Sequence, residues 1–201
     1  MPDVIFIQGV ILMKKVLSLA PLSALLIMTL QSPAQAVDLD VSFTASLRET
    51  TCDMKIEGGT GDGTNNTIPI GTGGKTNLGD IASGSDAAST QFKLKITECP
   101  SSLAALKTTI TGTASGYVRT AIVNAASSSP ADYLGVSIAR VSAPDAPFDV
   151  NSTEDAKRLV WTTSEISSKE VPLVARLVET QAGKATTGNF SATATFNFVY
   201  E

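Results

Sequence analysis

The chain has 201 residues, of which 43% are hydrophobic, 17% charged and 5% aromatic, and its net charge is −4. This length suits one domain with a sizeable core, and the mildly acidic balance offers no basic footprint for nucleic acid or an anionic lipid surface. Histidine is absent, which excludes catalytic triads and dyads built on imidazole and the usual mixed zinc sites.

At the amino end, Lys14-Lys15 precede an apolar run from Val16 to Leu30, and "SPAQA" follows, with Ala34-Gln35-Ala36 matching the A-x-A cleavage pattern. Residues 1–36 therefore read as a secretory signal peptide. The run is shorter than the roughly 20 residues that span a bilayer, and Pro21 interrupts it, so a membrane anchor is the weaker reading. "MPDVIFIQGVIL" puts apolar residues where a signal has its basic start, so Met13 is the expected first residue.

Directly after the cleavage site, Val37, Leu39, Val41, Phe43, Ala45 and Leu47 alternate with Asp38, Asp40, Ser42, Thr44, Ser46 and Arg48. This period of two predicts a strand, and its charges suit a detached, soluble tail better than a folded core. Cys52 and Cys99 both lie in the exported part, where an oxidising compartment lets a pair persist as a disulfide. They are read as one bridge. Closing a loop of about 48 residues contributes about 4 kcal/mol in the chain-entropy model; free or metal-bound thiols are the competing reading.

The stretch from Glu57 to Thr90 is glycine-rich and reads as long polar loops between strands. As a phosphate cradle it fails, because Thr64 stands where a third glycine belongs and no Gly-Lys-Ser/Thr follows. As a calcium repeat it fails too, since Asp62 comes one place early and nothing repeats. Strands are predicted at "NTIPIG", "TQFKLKIT", "LKTTITGTA", "YLGVSIARV", "VPLVARLVET" and "FSATATFNFVY", with Gly, Ser, Pro, Asn and Asp clusters between them. The fold class is all-β, a two-sheet sandwich. Trp161, the only tryptophan, lies in the strand-like "RLVWTT" and is assigned to the core.

Chemistry finds little to stand on. With the cysteines bridged no thiolate nucleophile remains. Carboxylates at Asp38/Asp40, Asp53, Asp62, Asp80, Glu154/Asp155 and Glu165 are nominally available for glycoside hydrolysis, but few aromatic side chains accompany them for sugar stacking, and they read as solvated surface charge. The sequons at Asn65, Asn151 and Asn189 read as chance occurrences in polar loops. No enzyme, cofactor or metal is expected.

In the last segment, Phe190, Ala192, Ala194, Phe196, Phe198 and Tyr200 fall on one side of a strand, while Ser191, Thr193, Thr195, Asn197 and Glu201 fall on the other. An alternating strand with no turn or partner after it needs a neighbour for its edge.

An early cysteine, a second one closing the strand "KLKITECP", and a terminal G-x-x-x-A-T-A-T-F-x-F-x-Y-x, with Gly188 fourteenth from the end and Tyr200 penultimate, resemble the subunits of chaperone–usher pili. "LVWTTSEISSKEVPLVARLVETQAGKATTGNFSATATF" is similar in particular to the minor, adaptor-type subunits of type 1 fimbriae. The resemblance implies an incomplete immunoglobulin-like sandwich, residues 49–201, that lacks its final strand. Residues 37–48 are then a donor-strand extension, with Leu39, Val41, Phe43, Ala45 and Leu47 entering a neighbour's groove. Gly188, Phe190, Ala192, Ala194, Phe196, Phe198 and Tyr200 form the strand that binds a chaperone or donor.

The implied partners are a periplasmic pilus chaperone, an outer-membrane usher and neighbouring pilus subunits, with no nucleic acid and no membrane insertion, in a cell-surface fimbrium. Ala45 departs from the glycine that many donor strands of the family carry, and its methyl has to fit a position that is often narrow. A stand-alone secreted carbohydrate-binding β-sandwich is the alternative; such a lectin closes its own sheet and presents an aromatic or acidic pocket.

Overall fold

The structure, a computed structural model, describes residues 51–201. The expected signal peptide 1–36 and donor extension 37–48, including Leu39, Val41, Phe43, Ala45 and Leu47, lie outside the described residues.

A five-stranded antiparallel sheet is ordered β1 (Asp53–Glu57), β4 (Ser89–Glu98), β9 (Glu170–Glu179), β7 (Leu134–Arg140) and β6 (Ala121–Val123). A second sheet is ordered β10 (Thr195–Tyr200), β5 (Leu106–Thr111) and β8 (Leu159–Val160). Side-chain alternation closes the core between them. β4 turns Phe92, Leu94 and Ile96 inward, and β9 turns in Val171, Leu173, Ala175 and Leu177. β5 answers with Leu106 and Ile110, and β8 with Leu159, next to Trp161.

This is an all-β, two-sheet sandwich, as the alternation and turn spacing predict, and of the immunoglobulin-like kind that the resemblance implies. Trp161 is buried as expected, and its indole N–H donates to Thr108 Oγ1 at 3.0 Å, so the one polar atom of the ring is satisfied inside the core. Pro172, which has no N–H, sits in a central strand without breaking it, because it falls at the end of the β7 ladder, where its carbonyl still accepts from Val141 N–H at 3.1 Å.

Three expectations need correction. Only Asn66–Thr67 (β3) of "NTIPIG" is strand, paired with Thr60–Gly61 (β2); Pro69 cannot extend a ladder, although Ile68 and Ile70 still pack on the core. The Glu57–Thr90 stretch also holds a short helix α1 (Leu78–Ala82) and a 3₁₀ turn, Asp86–Ala88. Ile81 and Ala88 are buried there, so sparse apolar residues pin the segment to the core. The terminal strand is shorter than its alternation: only residues 195–200 are ladder-paired strand.

Strand β1 lies outside the predicted strands, although its five residues alternate polar and apolar. It forms because Met54 and Ile56 pack against the core while Asp53, Lys55 and Glu57 face solvent. A second helix, α2 (Thr163–Ser168), is set by a capping box in which the Thr162 hydroxyl accepts from Glu165 N–H and Glu165 reaches back to Thr162 N–H.

Candidate functional site

The site is the outer edge of the C-terminal segment. β10 pairs with β5 from Thr195↔Thr111 to Tyr200↔Leu106, and among the described residues it has no strand on its other side. Just beyond, Glu201 and Ala105 exchange both backbone hydrogen bonds, at 2.8 and 2.9 Å. Antiparallel ladders alternate hydrogen-bonded and non-bonded pairs, so Val199, Asn197 and Thr195 turn their N–H and C=O toward β5. Phe196, Phe198 and Tyr200 turn theirs toward the open edge.

The same parity holds upstream. Asn189 N–H donates to Ser129 O at 2.8 Å, Ala131 N–H to Asn189 O at 3.0 Å, and Ala125 N–H to Ser191 O at 2.7 Å. Odd-numbered residues are therefore tied inward, while Phe190, like Phe196, Phe198 and Tyr200, lies between tied neighbours. The burial pattern follows: Phe190, Ala192, Ala194, Phe196, Phe198 and Tyr200 are half-buried against the core, and the residues between them are exposed. A row of apolar side chains thus lies beneath an edge of main-chain groups to which no other described strand pairs.

Named contacts hold this row in place. The Phe196 ring meets Phe92 of β4 at 5.9 Å between centroids, and Phe198 stacks on Tyr200 at 6.4 Å. Tyr200 Oη donates to the carbonyl oxygen of Cys52 at 3.2 Å, and Cys52 is bonded to Cys99 with Cα atoms 4.4 Å apart. Disulfide, β1 and the end of β10 are joined at one pole. At the other end Gly188 is required by close approach, since a methyl there would lie 2.6 Å from both Ala131 N and Ser129 O.

Sequence reasoning missed Asn124. Its Nδ2 donates to Ala131 O and Asn189 O at 2.8 and 2.7 Å, and its Oδ1 accepts from Ala126 and Ser191 N–H at 3.0 and 2.9 Å. This one amide stitches 124–131 to 189–191, and nothing in the local sequence "VNAAS" signals it.

The carboxylates are occupied separately. Asp62 Oδ1 accepts from Thr64 and Asn65 N–H, Asp80 from Asn77, Glu154 pairs with Lys157, and Glu165 pairs with Arg140. Asp155 pairs with Arg158 and with Lys107, which also holds Glu201. Asp53 is exposed at the start of β1, and Asp38/Asp40 lie outside the described residues. Of the sequons, Asn151 exchanges side-chain bonds with the Gly112 backbone and Asn189 Nδ2 donates to Ser128 O, so both amides serve the fold. Among the described residues no group of three His, Cys, Asp or Glu is placed to hold a metal ion, and no helix is long and apolar enough to cross a membrane.

Among the described residues the distinctive feature of the sandwich is an apolar row under an open strand edge. The fimbrial protein family model matches residues 41–201, and the chain belongs to that family, one of structural pilus subunits rather than enzymes. It is 35% identical over 172 residues to the fimbrial-like protein YadM of Escherichia coli strain K12, covering 83% of this chain and 88% of that one. It is 31% identical over 181 residues to the minor fimbrial subunit HifD of Haemophilus influenzae, covering 88% and 81%. The crystal structure of the P pilus rod subunit PapA matches at 16% identity and a TM-score of 0.49, over 81% of this chain and 100% of that one.

Proposed function

We propose that this chain is a subunit of an adhesive surface pilus assembled by donor-strand complementation and exchange, through a periplasmic chaperone and an outer-membrane usher. Residues 1–36 are removed on export, 37–48 are the donor extension and 49–201 the pilin domain. The observation that carries this reading is the edge along Phe190, Phe196, Phe198 and Tyr200, where core-facing side chains and outward-facing main-chain groups belong to the same residues. A strand laid on it makes a ladder with the backbone and covers the apolar row, which is β-augmentation.

In the periplasm a chaperone strand fills this position; at the usher, the extension of the next subunit displaces it. Leu39, Val41, Phe43, Ala45 and Leu47 are the side chains this chain offers in turn, and burying five such groups is worth roughly 7–13 kcal/mol before ordering costs. The description of HifD as a minor subunit supports a minor place in the fibre. The lectin alternative cannot use the chain's one tryptophan, since Trp161 is in the core.

The test is deletion of Val37–Leu47 in the chain co-expressed with a pilus chaperone. The truncated subunit is expected to co-purify with the chaperone yet fail to enter a fibre. Normal incorporation of the truncated chain would overturn the reading.

A further inference from the structure

Among the described residues three large apolar side chains stand well out in solvent: Tyr117 at 65% exposure, Val199 at 43% and Tyr133 at 41%. Two of them meet. The Tyr117 and Tyr133 rings are 6.2 Å apart between centroids, tilted by 47°. Single exposed apolar side chains are ordinary, whereas contiguous aromatic ones concentrate at recognition surfaces.

The backbone beneath them is braced. Tyr133 has φ 55°, a left-handed conformation that a bulky residue keeps only where its surroundings enforce it. Its carbonyl accepts from Thr180 N–H at 2.8 Å, and its neighbour Asp132 is held by Thr186 through Asp132 N–H to Thr186 Oγ1 at 2.8 Å and Thr186 N–H to Asp132 O at 3.2 Å. Tyr117 is carried on a turn in which Ser115 Oγ accepts from Tyr117 and Val118 N–H at 3.1 and 3.3 Å.

We infer that the Tyr117–Tyr133 pair is the surface on which the body of the next fimbrial subunit seats, an inference that rests on the donor-strand reading above. Tyr133 is two residues from Ala131, whose N–H is bonded to Asn189, so its Cα lies within about 12 Å of the Gly188 end of the open edge. Every ladder between named strands is antiparallel. A donor added to β10 in that sense runs from the Tyr200 end toward the Gly188 end and leaves the groove beside Tyr133. Only four residues, Arg48 to Thr51, separate Leu47 from Cys52 of the donor, so five Cα steps give a reach of at most about 18 Å. Its body therefore comes to rest against this end. A rigid aromatic pair suits such a contact, because tyrosine contributes apolar area and a hydroxyl at little entropic cost.

A stacked sugar is the other occupant such rings can take, and continuity with the open edge favours the subunit. The test compares the chaperone-bound full-length protein with its Tyr117→Ser/Tyr133→Asn variant; asparagine tolerates left-handed backbone, so the fold is kept. The probes are a synthetic peptide of residues 37–48 and a second full-length copy.

Both proteins are expected to bind the peptide alike, while the complex with the second copy dissociates about tenfold faster or more for the variant. Equal dissociation overturns the inference, as does a change in peptide binding confined to the variant. Binding of wild type, but not variant, to immobilised oligosaccharides assigns the pair to a sugar and overturns it as well. Failure of wild type to bind either probe overturns the donor-strand reading and this inference with it.

Discussion

The phenol of Tyr200 donates to the carbonyl oxygen of Cys52 at 3.2 Å, across 148 residues of chain. The last strand is thereby fastened to the start of β1 at the disulfide, and the pole of the open edge is held shut from beneath. Tyr200→Phe keeps the ring on Phe198 and removes only this bond. We expect it to lower stability by about 0.5–1.5 kcal/mol in denaturant titrations, with chaperone capture retained.

The pH dependence of that bond has a definite sign. Burial lifts the Tyr200 phenol above its ordinary value of 10.0 and the charge of Asp53 adds to the rise; because the phenol is the donor to Cys52 O, ionisation also forfeits that bond. A raised value in the folded state means that the contribution is complete below about pH 10 and is lost as pH climbs through the folded value. The stability difference between wild type and Tyr200→Phe is expected to be flat from neutral pH to 10 and to shrink above it.

Phe198 and Asn197 are adjacent but face opposite ways. Phe198 lies across from fully buried Thr108 and against Tyr200, whereas Asn197 is exposed and bonds Thr111 Oγ1 at 3.0 Å. Phe198→Asp puts a carboxylate into the apolar row at a cost of several kcal/mol, and chaperone co-purification is expected to fail. Asn197→Asp loses at most one exposed hydrogen bond and is expected to co-purify normally. Equal behaviour of the two variants would show that the face toward the incoming strand is misassigned.

Gly188→Ala tests the other end. The added methyl would sit 2.6 Å from Ser129 O and Ala131 N, which belong to backbone and cannot swing away as a side chain can. We expect a loss of about 1–3 kcal/mol and faster hydrogen exchange at the Asn189, Ala131 and Ala125 amides. Exchange at the β10–β5 ladder is expected to stay slow.

Glu165 reports on the fold away from the edge. Its carboxylate receives Arg140 Nε and Nη2 at 2.8 and 3.0 Å and Thr162 N–H at 2.7 Å. Burial alone would raise its pKa, and the bonds from Arg140 and Thr162 outweigh burial to hold it below 4.5. Its stabilising contribution is therefore present above pH 4.5 and is lost as pH falls through the folded value. Glu165→Gln is expected to cost about 1–3 kcal/mol at pH 7, with the gap to wild type closing under acid.

The sequence by itself determined which side chains face inward. Alternation is a local property of extended backbone, so Phe190 to Tyr200 on one face and Ser191 to Glu201 on the other were legible from residue spacing, as were the inward faces of β4 and β9. Only the tertiary structure decided where the main-chain hydrogen bonds go. The alternating run from 188 to 200 reads as one strand, yet its first part is tied to 124–131 through Asn124 and its second part to β5. The burial of Ile81 and Ala88 within a glycine-rich stretch is likewise settled by distant partners, whereas β1 does alternate locally over its five residues. Side-chain orientation follows from neighbours one or two residues away; strand partners are chosen by residues a hundred positions distant, through contacts that leave no local pattern.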